Sequence, residues 1–136
     1  MPRILIVDDD ADFRATCRLP LEAAGFEVSE AGDADAGFQK VCAETPDLVI
    51  LDVLMRNEYE GFDLARRLRE ELRLSDLPIL MLTAVHSVKQ PPYRFVQDEV
   101  YLPVDAFLDK PVPSDLLVRK VREMLGIHRE QPEEPL

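Results

Sequence analysis

The chain has 136 residues, 46% of them hydrophobic and 32% charged, and carries a net charge of −11. That length fits one domain with a core of its own. The acidic balance argues against direct nucleic-acid binding, which needs clustered Lys and Arg, and no apolar run approaches the roughly 20 residues that insertion into a membrane requires.

Arg3 to Val7 is an apolar run too short for a helix and reads as a buried strand. Pro2-Arg3 leads straight into it without the apolar stretch of a secretory signal, so a cytoplasmic location is expected. Asp12 to Ala24 sets Phe13, Thr16, Cys17, Leu21 and Ala24 at helical spacing. Pro20 should kink that helix or split its last turn, and Gly25 should end it. Phe26 to Ala31 is a second strand with Phe26 and Val28 on one face. Ala34 to Ala43 carries Phe38, Val41 and Cys42 at helical spacing. Cys17 and Cys42 both fall in helices and read as buried small hydrophobes, not as a disulfide framework. Asp47 to Asp52 is the third strand. Gly61 to Leu72 is strongly amphipathic, with Phe62, Ala65, Leu68 and Leu72 inward and Arg66, Arg67, Arg69 and Glu70 outward. Pro78 to Thr83 and Ala106 to Leu108 are strands four and five. Ser114 to Leu125 closes as a helix, with Ser114 as N-cap and Gly126 as stop. These elements bound one domain over residues 1–126. Residues 127–136 form a polar tail that is expected to be disordered.

Alternating strand and helix signals imply βαβ units, hence an α/β fold with a parallel sheet. The flavodoxin-like, doubly wound five-stranded order 2-1-3-4-5 opens a crevice between strands one and three. Asp8 and Asp9 end strand one and Asp52 ends strand three, so three carboxylates converge there. Their mutual repulsion calls for a hard divalent cation, and Mg²⁺ suits one or two carboxylates with water and phosphate. Thr83, ending strand four, and Lys110, following strand five, add a hydroxyl and an ammonium for phosphoryl oxygens. The chemistry this permits is in-line attack by a carboxylate on phosphorus, giving an aspartyl phosphate. Plainer readings stand beside these: Asp8 to Asp10 as a capped turn, Thr83 as an ordinary strand residue, Lys110 as a surface lysine, Phe107 as static core. Asp10 reads as solvated turn or helix start, and His86 and His128 as surface residues.

The set Asp8-Asp9, Asp52, Thr83-Ala84 and Lys110-Pro111, each member ending an apolar run, resembles the receiver domain of two-component response regulators. The resemblance covers Arg3 to about Gly126. It implies that Asp52 is the phosphoacceptor, that Asp9 binds Mg²⁺ directly and Asp8 through a water, and that the Leu54 backbone carbonyl is a further metal ligand. It implies that Thr83 binds a phosphoryl oxygen and shifts on activation, and that Lys110 pairs first with Asp52 and then with the phosphoryl group. Phe107 matches the family's rotating aromatic position, and the Lys110-Pro111 bond is often cis in the family. The implied partners are a histidine kinase or phosphotransfer protein and a downstream protein of unknown identity. A homodimer through strand five and its flanking helices is one output the analogy offers.

Two stretches depart from that family's pattern. The loop Val53 to Gly61 lacks the usual Met-Pro, and the segment between Thr83 and Lys110 is long and contains Pro91-Pro92. The family's fourth helix, which belongs in that segment, is therefore expected to be short, displaced or disordered. Leu54 and Val85, two residues after Asp52 and Thr83, are apolar and cannot orient a hydrolytic water, so a long-lived aspartyl phosphate is expected. Leu54 also argues against a phosphohydrolase with an aspartate nucleophile, which wants a carboxylate at that place. The leading reading is thus a phosphoacceptor switch rather than a turnover enzyme. The alternative is a degenerate receiver that binds partners without phosphorylation. Read as a whole protein, the chain acts through protein contacts; read as a fragment, an output domain follows it.

Overall fold

The computed structural model describes residues 1–53, 60–83 and 104–127. In chain order these form β1 (Arg3–Val7), α1 (Ala11–Ala23), β2 (Glu27–Ala31), α2 (Ala34–Glu44), β3 (Leu48–Asp52), α3 (Glu60–Glu70), β4 (Ile79–Thr83), β5 (Ala106–Asp109) and α4 (Ser114–Met124). All strand pairs are parallel, in the order β2-β1-β3-β4-β5. The expectations on Leu54, Ala84, Val85, His86, Pro91-Pro92, His128 and the helix between β4 and β5 lie outside the described residues. Among the described residues no helix is long and apolar enough to cross a membrane.

The central strands are apolar on both sides because helices cover both. Leu5, Val7, Val49, Leu51, Ile79 and Met81 pack with Val41 of α2 and Phe62, Leu64, Ala65 and Leu68 of α3. Ile4, Ile6, Leu48, Ile50, Leu80 and Leu82 pack on the other face with Cys17 and Leu21 of α1 and Leu117 and Val121 of α4. Phe26 and Val28 share that second face, as the alternation requires. Asp10 caps α1, its carboxylate accepting from the Asp12 and Phe13 amides. At the other end Gly25 sits at φ 100°, while the Gly25 and Phe26 amides bond to the Glu22 and Leu21 carbonyls.

Several local expectations are corrected. Pro20 does not split α1: it removes only its own N–H, and the Ala24 amide closes the following turn on the Pro20 carbonyl at 3.0 Å. Thr16 and Cys42 are exposed, because helical spacing marks a stripe without fixing its width. Cys17 is the buried thiol, and burial, then the nearby Asp8 charge, push it up to about 11. Ser114 is the first helical residue and Pro113 takes the N-cap place without a side-chain bond. Arg69 is not on a solvated face. Its guanidinium bonds to the Leu74 and Leu77 carbonyls and to Asp105, whose carboxylate also accepts from the Ile79 amide. Ile127, read as tail, donates its amide to the Arg122 carbonyl and packs against the α1–α4 core.

Candidate functional site

Three polar residues inherit the alternation of the strands they follow. The face that presents Ile4 and Ile6, Leu48 and Ile50, and Ala106 and Leu108 continues to Asp8, Asp52 and Lys110. Backbone pairing persists past the strand ends and fixes these positions. The Asp8 amide donates to the Ala31 carbonyl at 3.1 Å, the Val53 amide to Leu82 at 3.0 Å, and the Lys110 amide to Thr83 at 2.8 Å.

Asp8 and Asp52 are buried, 2% and 5% exposed, whereas Asp9 faces solvent. Each of the three offers a carboxylate oxygen, and these oxygens lie within 4.8 Å of one another. The Lys110 ammonium bridges two of them, 3.1 Å from Asp8 Oδ2 and 3.3 Å from Asp52 Oδ1. Burial alone would lower the Lys110 pKa; the facing Asp52 and Asp8 carboxylates outweigh it and raise it. The ammonium also sits 4.2 Å from the centroid of the Phe13 ring. Lys110-Pro111 is cis, as the resemblance implies.

The other site residues expected from sequence fall into place less tightly. Thr83 is buried at the end of β4, in register with Asp109. Its alternation is that of Ile79 and Met81, on the α2–α3 face. Phe107 shares that face and is half-buried against its core. Leu54 lies outside the described residues. Two contacts escape a reading of the sequence: the Phe13 ring against Lys110, and an Arg14 bond to the Asp8 backbone. Both residues stand in the first turn of α1, and only their closeness in sequence to the acidic turn hints at them.

An all-oxygen set of three carboxylates held to one ammonium retains negative charge, which fits a hard divalent cation. An acidic pocket of this kind is where receiver domains generally bind Mg²⁺.

Residues 4–122 match the family described as the response regulator receiver domain. The chain is 36% identical over 125 residues to the DNA-binding dual master transcriptional regulator RpaA of Synechocystis, covering 92% of this chain and 49% of that protein. It thus spans about half the length of that curated relative. A CheY-like receiver domain protein of Methanospirillum hungatei superposes with a TM-score of 0.78 at 30% identity, over 99% of both chains. The chemotaxis response regulator CheY4 of Vibrio cholerae gives 0.78 at 27% identity, over 91% of this chain and 98% of its own. With the family match running from the first strand into the last helix, the chain belongs to the response regulator receiver domains of two-component signalling.

Proposed function

We propose that this receiver is a working Mg²⁺-dependent phosphoacceptor with Asp52 as its nucleophile. The observation that carries the reading is the Lys110 ammonium held between Asp8 and Asp52 at 3.1 and 3.3 Å. A carboxylate oxygen of Asp52 forms a bond to phosphorus as the bond from phosphorus to the donor atom breaks, and the donor keeps that electron pair. Lys110 exchanges its ion pair with Asp52 for one with a phosphoryl oxygen, so its charge meets the transferred group without a large movement. The Thr83 hydroxyl binds a second phosphoryl oxygen and Phe107 follows its shift. Asp8, Asp9 and Asp52, with the Leu54 carbonyl, would hold Mg²⁺, which would supply Lewis-acid neutralisation of the phosphoryl charge when bound.

The donor is a histidine kinase or phosphotransfer protein, and the result is a change in protein contacts rather than turnover of a small substrate. The apolar Leu54 and Val85 favour a long-lived phosphoryl group. The relative named DNA-binding is about twice as long as this chain, so the argument from acidic charge reaches only these 136 residues.

Intact mass after incubation with Mg²⁺ and acetyl phosphate tests the reading. The expected result is a single phosphoryl adduct that disappears in Asp52→Asn and when Mg²⁺ is chelated. A folded wild-type protein that takes no adduct would overturn the reading in favour of a phosphorylation-independent binding module.

A further inference from the structure

We infer that Arg14 is a positioning residue for the metal-binding turn, acting through the peptide that joins Asp8 to Asp9. The inference rests on the reading of those two residues as the metal-binding carboxylates.

The Arg14 guanidinium makes two short bonds in different directions. Nη1 donates to the backbone carbonyl of Asp8 at 2.7 Å, and Nε donates to Glu30 Oε1 at 2.7 Å. Both the arginine and the glutamate are largely withdrawn from solvent, at 18% and 23% exposure. Glu30 stands on β2 beside the end of β1, so its carboxylate fixes the direction from which the guanidinium reaches the turn.

The carbonyl of Asp8 belongs to the same planar unit as the amide of Asp9. Fixing that oxygen removes the rotation that would swing Asp9 relative to Asp8. The other groups of Asp8 are already committed: its amide bonds to Ala31 O, Oδ1 accepts from the Asp10 amide, and Oδ2 meets Lys110. Asp9 is the exposed member of the carboxylate cluster. Its placement therefore depends on the backbone on either side, and Arg14 holds the upstream peptide. Outer partners that orient metal ligands commonly change affinity by about 10- to 100-fold.

Arg18 supplies an internal control. It pairs with the other oxygen of Glu30 at 2.7 Å and with Glu22 at 2.8 Å. Its bonds tie α1 to β2 as Arg14 does, but the carbonyl of Asp8 receives Arg14.

The test measures Mg²⁺ binding by calorimetry for wild type, Arg14→Gln, Arg14→Lys and Arg18→Gln, with amide hydrogen exchange at Asp10 in Mg²⁺-free protein. Arg14→Gln should bind Mg²⁺ roughly tenfold more weakly and exchange Asp10 faster. Arg14→Lys, which keeps a cationic donor without the fork, should fall between it and wild type. Arg18→Gln should match wild type in both readouts. Equal affinity in Arg14→Gln and wild type, or equal losses in Arg14→Gln and Arg18→Gln, would overturn the inference alone. A wild-type protein that binds no Mg²⁺ would overturn the site reading and this inference together. If Arg14→Gln fails to fold, Arg14→Lys against Arg18→Gln decides the matter by the same comparison.

Discussion

Lys110 is pulled two ways by one geometry. Its ammonium compensates two buried carboxylates, yet its charge opposes any cation drawn to the same pair. At about 4 Å and an effective dielectric near 20, a unit positive charge opposes a divalent cation by about 8 kcal/mol before relaxation. Lys110→Gln should therefore bind Mg²⁺ roughly tenfold more tightly than wild type, with relaxation and solvent absorbing the rest of that energy. The same variant should take up phosphoryl from acetyl phosphate far more slowly, because nothing replaces the ammonium at the equatorial oxygens. Parallel calorimetry and adduct kinetics would separate the two effects. A loss of Mg²⁺ affinity in Lys110→Gln would mean that the lysine organises the carboxylates more than it repels the metal. Phe13, whose ring faces the ammonium, adds an attraction that leaves no hydrogen bond and so no obvious mark in a sequence.

Elements position the site through their ends, and α3 starts close against the end of β3. Gly61 lies in the first turn of α3, and a Cβ there would overlap the backbone carbonyl of Asp52 and press on that of Val53. Gly61→Ala must push α3 off the sheet or displace the strand end that carries Asp52. A destabilisation of about 1–3 kcal/mol is expected from such overpacking, with slower adduct formation even where the variant is fully folded. Thermal melting beside adduct kinetics checks both, and a variant unchanged in each would show that the helix start yields freely. The strands themselves were legible as apolar runs, since β1, β3 and β4 are buried on both faces. Strand ends were legible for the same reason: a carboxylate, hydroxyl or lysine breaking such a run is conspicuous. Helix detail was less so. Thr16 and Cys42 sat at inward spacing but face outward, because the sheet reaches only the middle of each stripe. Arg69 carries a formal charge that suggested solvent, yet it ties the α3–β4 turn to Asp105 at the start of β5. No local pattern announces a bond between residues 36 apart in sequence.

At the scale of the whole molecule, the site is a local concentration of an acidity that pervades the chain. A net charge of −11 over 136 residues means that any cation stabilises the folded protein by screening, whether or not it binds. Specific binding adds a term that saturates: a ligand held only by the folded state contributes about 1.4 kcal/mol at tenfold its dissociation constant. For a domain of this size that corresponds to a rise on the order of 5 °C in melting temperature. Sodium chloride should raise the melting temperatures of wild type and Asp9→Asn in parallel, because screening is indifferent to one carboxylate among 27 acidic residues. Millimolar Mg²⁺ added at constant, high sodium chloride should raise only the wild type, along a curve that levels off. Without Mg²⁺, Asp9→Asn should be at least as stable as wild type, because it relieves repulsion among carboxylates whose oxygens lie within 4.8 Å. Parallel Mg²⁺ curves for the two proteins would reduce the carboxylate cluster to ordinary surface charge. Divergent curves would instead tie the stability of the whole fold to a cation held at that cluster.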